Sequence, residues 1–149
     1  MDVEDNVVTE MTAEECWHLL AHAQLGRLAL SVRDDVDIFP INFVAHEGAL
    51  YFRTSPGSKL AELTANPRVA LEADRYDDET AASVVAKGVA ERLDAQDDID
   101  RADALGLEPW IPTLKYRWVR ITPSRLSGRR FRRAPEPDRY AVVDGGPTS

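Results

Sequence analysis

Between residues 27 and 121 the chain falls into six short runs of β-branched and aromatic residues, each closed by turn formers. This pattern limits the fold more than any other feature. The first run, 27–32, ends in the polar turn Arg33-Asp34-Asp35. Residues 36–46 carry Ile38, Phe39, Ile41, Phe43 and Val44, side chains that suit a pleated, half-buried surface better than a helix. Pro40 interrupts this run and places it at an edge or a bulge, because proline has no N–H to give to a ladder. Glu47-Gly48 reads as a hairpin turn into residues 49–54, and 68–74, 83–93 and 116–121 complete the set. Three short helices accompany the strands. Thr12-Ala13-Glu14-Glu15 is a capping box, and Ala13, Cys16, Trp17, Leu20 and Ala23 follow at helical spacing, which predicts a helix over 12–23. Residues 58–65 can make two turns before Asn66-Pro67, and 94–105 form an acidic helical stretch. Short strands joined mostly by hairpins predict a mainly β (α+β) fold, an antiparallel barrel with peripheral helices rather than a doubly wound sheet.

A chain of 149 residues is expected to form one domain able to bury a sizeable core without a staple. Its single cysteine, Cys16, cannot form an internal disulfide, which fits a reducing compartment. No apolar run approaches a membrane span, and the acidic N-terminus lacks the features of a signal peptide. The expectation is a soluble, cytoplasmic protein with a flexible arm at 1–11, a folded domain at 12–131 and a flexible tail at 132–149. A net charge of −8 opposes nucleic-acid binding. Arg129 to Arg133 holds four arginines in five residues, expected to contact a phosphate across a dimer or to lie in a solvated tail. Neither a G-x-G-x-x-G nor a G-x-x-x-x-G-K-[ST] loop occurs, so a Rossmann or P-loop nucleotide site is not expected. His18 and His22 are four apart but have no third ligand at a recognisable spacing; they read as a solvated helix face, and no metal is expected.

The segment from Leu50 to Leu60 carries the most chemistry. A strand brings Arg53 and Thr54 to its end, Pro56-Gly57 turns the chain, and Ser58-Lys59 open a short helix. Two cations, two hydroxyls and a helix N-terminus are the parts needed to hold a phosphate. The alternative is that Arg53 and Lys59 are ordinary surface charges, although a lysine opposes the dipole at a helix start. Trp110, between Pro109 and Pro112, either stacks on a flat ligand or caps a core edge. Trp118 shares a strand face with Tyr116 and Arg120 and is expected to line a pocket or an interface.

From about Thr12 to Arg130 the chain resembles the pyridoxamine 5'-phosphate oxidase-like proteins. The residues that carry the resemblance are Leu25-Gly26-Arg27-Leu28-Ala29, Phe39-Pro40-Ile41-Asn42-Phe43, Tyr51-Phe52-Arg53-Thr54 with Ser58-Lys59-Leu60, residues 66–74, residues 84–90, and Arg120-Ile121-Thr122-Pro123 through Ser127-Gly128-Arg129. The resemblance implies a six-stranded antiparallel split β-barrel and a homodimer with an FMN site in a cleft between subunits. Arg53, Ser58 and Lys59 would hold the phosphate. Thr54 and the backbone of Pro40, Ile41 and Asn42 would line the ring and ribityl chain; Trp110, on the stacking reading above, would join this cofactor site. Deazaflavin coenzyme F-420 is the alternative cofactor. Two departures stand out. Ala81-Ala82-Ser83 replaces the Gly-Trp-Ser of many relatives, and the chain after Gly128 has no close Trp and Arg pair of the kind that binds substrate in pyridoxal phosphate synthesis. The expected function is a flavin- or deazaflavin-dependent oxidoreductase that takes electrons from an external reductant and acts on a small molecule other than pyridoxamine phosphate. The alternative is a non-catalytic flavin, haem or small-anion binding protein or sensor on the same fold. No catalytic residue can be named from the sequence.

Overall fold

The computed structural model describes residues 8–108, 110 and 117–133. In chain order the elements are β1 (Val8–Glu10), α1 (Ala13–His22), β2 (Leu25–Val32), β3 (Asp35–Asn42), β4 (Val44–His46), β5 (Ala49–Thr54), α2 (Ser58–Ala65), β6 (Arg68–Tyr76), β7 (Thr80–Arg92), α3 (Gln96–Asp103) and β8 (Arg117–Arg132). The strands form one antiparallel sheet, curled into a half-barrel, in the order β3-β2-β6-β7-β8-β5-β4, with β1 added on β8. Three short helices lie against it.

The class is as expected, but eight strands replace six. The run at 36–46 breaks at Phe43, whose N–H leaves the ladder and donates to the Gln24 carbonyl at 3.3 Å. Pro40 does not cause the break. It sits inside β3 opposite Arg27, on an edge strand, where its missing N–H faces no partner strand. The other added strand is β1, where Val8, Thr9 and Glu10 pair with Phe131, Arg130 and Arg129. The arginine cluster is therefore built into the sheet as far as Arg132, and Arg133 continues by donating to the carbonyls of Glu79 and Asp77. The proposed tail beyond it, 134–149, and the first seven residues lie outside the described residues.

Strand alternation sends one side of the sheet into the core. Leu28 and Leu30 of β2, Val69, Leu71 and Ala73 of β6, Val84 and Ala86 of β7, Leu50 and Phe52 of β5, and Val119 and Ile121 of β8 form a buried cluster. Cys16, Leu19 and Leu20 of α1 close it. The helix packs tightly there: a Cβ on Gly128 would stand 2.7 Å from Cys16 Sγ. A β-bulge interrupts the β7–β8 ladder. Lys87 faces Arg125 and Gly88 faces Pro123, so Ser124 is the extra residue. A Cβ on Gly88 would fall 2.1 Å from the Thr122 carbonyl oxygen, so only glycine allows the strands to approach this closely.

Trp118 corrects the sequence reading. It is 2% exposed and buried rather than open to solvent. With Leu93 and Ala102 it forms a second buried cluster under α3, and its indole N–H donates to Asp103 at 2.7 Å. Both faces of β8 are thus covered at its start, with Val119 on the barrel side and Trp118 on the helix side. Among the described residues, no helix is long and apolar enough to cross a membrane.

Glu15 joins α1 to β8. It accepts the Thr12 N–H in the capping box at 2.9 Å and pairs with Arg130 of β8. The Thr12 amide, and then the Arg130 guanidinium, hold its carboxyl at about 2, against an ordinary value of 4.5. A carboxylate with a depressed value contributes stability above its unfolded value and loses it as pH falls toward the folded one. The acid limb of the parent should therefore fall between pH 4.5 and about 2. Glu15→Gln should flatten part of that fall in denaturant titrations across the same window.

Candidate functional site

Arg53, the last outward-facing residue of β5, lies opposite Trp118 in the β5–β8 ladder. Its guanidinium carbon is 5.2 Å from the centroid of the Trp118 ring, and Nη2 donates to the Leu107 carbonyl at 2.8 Å. The Trp118 face and its hydrogen bond to Asp103 fix where that guanidinium can go. Leu107 belongs to the segment after α3, and the same segment is held again at Trp110, whose backbone N–H donates to Asn42 Oδ1 at 3.2 Å. Asn42, at the end of β3, donates its amide to the Gln24 carbonyl at 3.4 Å. One amide thus ties together the end of α1, the end of β3 and the segment at Trp110.

Between these parts lies a pocket of about 360 Å³, lined by Gln24, Asn42, Phe43 and Val44 on one side and Leu107 and Trp110 on the other. The Trp110 residue is 56% exposed, so it does not cap a core edge. Alternation divides the expected Pro40-Ile41-Asn42 run: Ile41 is buried in the barrel, while Pro40 is exposed and Asn42 half-buried. Thr54 is 7% exposed, and its hydroxyl donates to the Ser55 carbonyl at 3.3 Å. Lys59 Nζ stands 4.4 Å from the centroid of the Phe39 ring, beside Pro40. Ser58 opens α2, whose N-cap, Gly57, offers no capping side chain and whose first turn contains no acid. The expected residues therefore form two groups: Asn42 and Trp110 lining the pocket with Arg53 bonded to the Leu107 carbonyl of its wall, and Lys59 over Phe39 at the start of α2. The sequence reading missed Gln24 and Leu107, which hold the first group, and named Trp118 without its contact to Arg53. Gln24 and Leu107 act through backbone carbonyls, which have no sequence signature. His18 and His22 lie with ring centroids 4.4 Å apart on α1, and His22 Nδ1 is 2.9 Å from the His18 carbonyl.

The profile of the pyridoxamine 5'-phosphate oxidase family matches residues 12–130. The chain belongs to that family. Solved structures agree. A Corynebacterium glutamicum protein named for pyridoxamine 5'-phosphate oxidase is 40% identical with a TM-score of 0.78, over 91% of this chain and 99% of that one. An FAD-binding protein from Mycobacterium smegmatis is 39% identical with a TM-score of 0.73, over 84% and 99%. An FAD-binding protein from Mesorhizobium loti is 26% identical with a TM-score of 0.75, over 83% and 98%. In this family member Arg53 braces Leu107. Arg53→Ala removes a charge-assisted bond to Leu107 and should cost about 1.5–3 kcal/mol of local stability. Hydrogen exchange should accelerate at residues 106–108 and 110 while amides of the β6–β7 ladder keep the parent rates.

Proposed function

We propose that the chain binds FMN through the isoalloxazine, ribityl and 5'-phosphate portion that FMN shares with FAD, and that it works as a cytoplasmic flavin-dependent oxidoreductase on a small molecule. Deazaflavin coenzyme F-420 is the alternative cofactor. The observation that carries this reading is the segment at Leu107 and Trp110, braced by Arg53 and Asn42 over a pocket, with the Trp110 residue more than half exposed. The FAD-binding relatives from Mycobacterium and Mesorhizobium support it. The residues present suit such a group. Arg53 spends one guanidinium donor on Leu107 and keeps others for an anion. Lys59 over Phe39 and the first amides of α2 form a second positive region, at the start of that helix. Trp110 supplies a flat face for a ring, and Asn42 sets the position of that face.

When bound, the flavin supplies the electron-transfer chemistry. The chain's own residues bind, orient and shield it. The Trp110 segment closes one side of the pocket, and Leu25, opposite Asn42 in the β2–β3 ladder, is 40% exposed. A second copy of the chain covering Leu25 and Trp110 would complete the cleft, so the proposal includes a homodimer. A stable one should bury more than about 1,000 Å². Electrons would arrive from an external reductant.

The test is a visible absorption spectrum of the purified protein and its titration with FMN, F-420 and riboflavin. FMN should bind saturably. Arg53→Ala and Lys59→Ala should each weaken it by at least roughly tenfold, since removing one member of a hydrogen-bonded charge pair costs about 2–5 kcal/mol. Riboflavin, without the phosphate, should lose much less. Sedimentation should show twice the 16.6 kDa chain mass. A parent that binds neither FMN nor F-420 overturns the oxidoreductase reading and favours a haem or small-anion sensor.

A further inference from the structure

On the outer face of the sheet, Lys87 of β7 stands directly opposite Arg125 of β8. Arg68 of β6 lies diagonal to Lys87, since Arg68 pairs with Val89 and Ala70 with Lys87. Directly opposed Cβ atoms are about 5 Å apart in such a ladder, and like charges placed this way repel. Elsewhere on the sheet Arg27 pairs with Glu72 and Arg120 with Glu91, so cations on strand faces can find a carboxylate across the ladder. Among the described residues, the side chains of Arg68, Lys87 and Arg125 have neither an ion pair nor a hydrogen bond.

The three cations line one groove of about 660 Å³ whose wall contains no Asp or Glu. Its floor is flat and made of small residues, Ala29 and Ala70, and its apolar sides are Val36 and Val89, which are 65% and 49% exposed. The bulge builds the charged end. Ser124, the extra residue, donates its hydroxyl to the Lys87 carbonyl at 3.3 Å, and Gly88 lets the backbones close behind it. None of the groove's residues lines the pocket at Trp110.

We propose that this groove is a second binding site, separate from the flavin pocket, for an organic phosphate monoester. The doubly charged head would lie among Arg68, Lys87 and Arg125, and a flat apolar body would lie on Ala29 and Ala70. A dianion relieves the repulsion of three clustered cations better than a single carboxylate. Two arginine forks and one ammonium also match phosphate oxygens in geometry.

The test uses the full chain and adenosine 5'-monophosphate as the probe, titrated calorimetrically at low salt, with adenosine and inorganic phosphate in parallel. The monophosphate should bind saturably and more weakly as salt rises, and both controls should be at least roughly tenfold weaker. Lys87→Gln/Arg125→Gln, and separately Arg68→Gln, should weaken it by at least roughly tenfold, because each removes charge partners of a bound anion. Arg53→Ala, which tests the flavin pocket, should leave it unchanged. Removing the repulsion should also raise the thermal midpoint of the ligand-free double variant. No saturable binding of the monophosphate, equal binding by the double variant, or a lowered midpoint overturns the proposal. Inorganic phosphate binding as tightly as the monophosphate overturns the organic ligand. A sedimentation change in the double variant without monophosphate binding by the parent makes the groove a contact for another copy of the chain instead.

Discussion

The structure depends on the hydrogen-bonded ladder of one strand, β8. It is 16 residues long and pairs with β7 along most of its length, with β5 near its start and with β1 near its end. In the observed strand order, β3-β2-β6-β7 and β5-β4 meet only through it. Register along β8 therefore sets which residues of distant segments become neighbours. It places Trp118 under Arg53 and Arg125 against Lys87. A slip of one residue would turn Val119 and Ile121 out of the barrel and Trp118 into it, so the buried face enforces the register. The Gly88 approach and the unpaired Ser124 fix it at a second point.

That register also separates two kinds of surface. The inner face is spent on packing, and the buried hydrophobic residues of β2, β5, β6, β7 and β8 fill it. The outer face carries Arg68, Lys87 and Arg125 beside the Arg27–Glu72 and Arg120–Glu91 pairs, in a chain of net charge −8. Overall repulsion of anions with local attraction favours small, compact ligands over extended polyanions.

The local features of the fold were legible in the sequence. The helix over 58–65 was readable at both ends because Pro56-Gly57 and Asn66-Pro67 bracket it. The capping box announced the start of α1, and its N-cap and N3 bonds are both formed. What escaped was set by partners far along the chain. The break between β3 and β4 exists because the Phe43 N–H turns to Gln24, and β1 exists because its complement lies at the end of β8. Trp118 obeyed strand alternation, but α3 covers the face it occupies, and no spacing rule reports a helix arriving from elsewhere. The candidate site divides in the same way. Asn42, Arg53 and Trp110 were visible as side chains, whereas the carbonyls of Gln24 and Leu107 that connect them belong to the backbone.

The single thiol has a practical consequence. Cys16 is 1% exposed, wedged against Gly128, and burial pushes its ionisation up, so little thiolate is available at neutral pH. A cysteine introduced on the surface would then be the only fast-reacting thiol in the folded chain, and maleimide dyes or spin labels could be attached to it without first removing the native residue. Labelling at Cys16 would instead require the α1–β8 packing to open, which makes its alkylation rate a direct clock for that local unfolding.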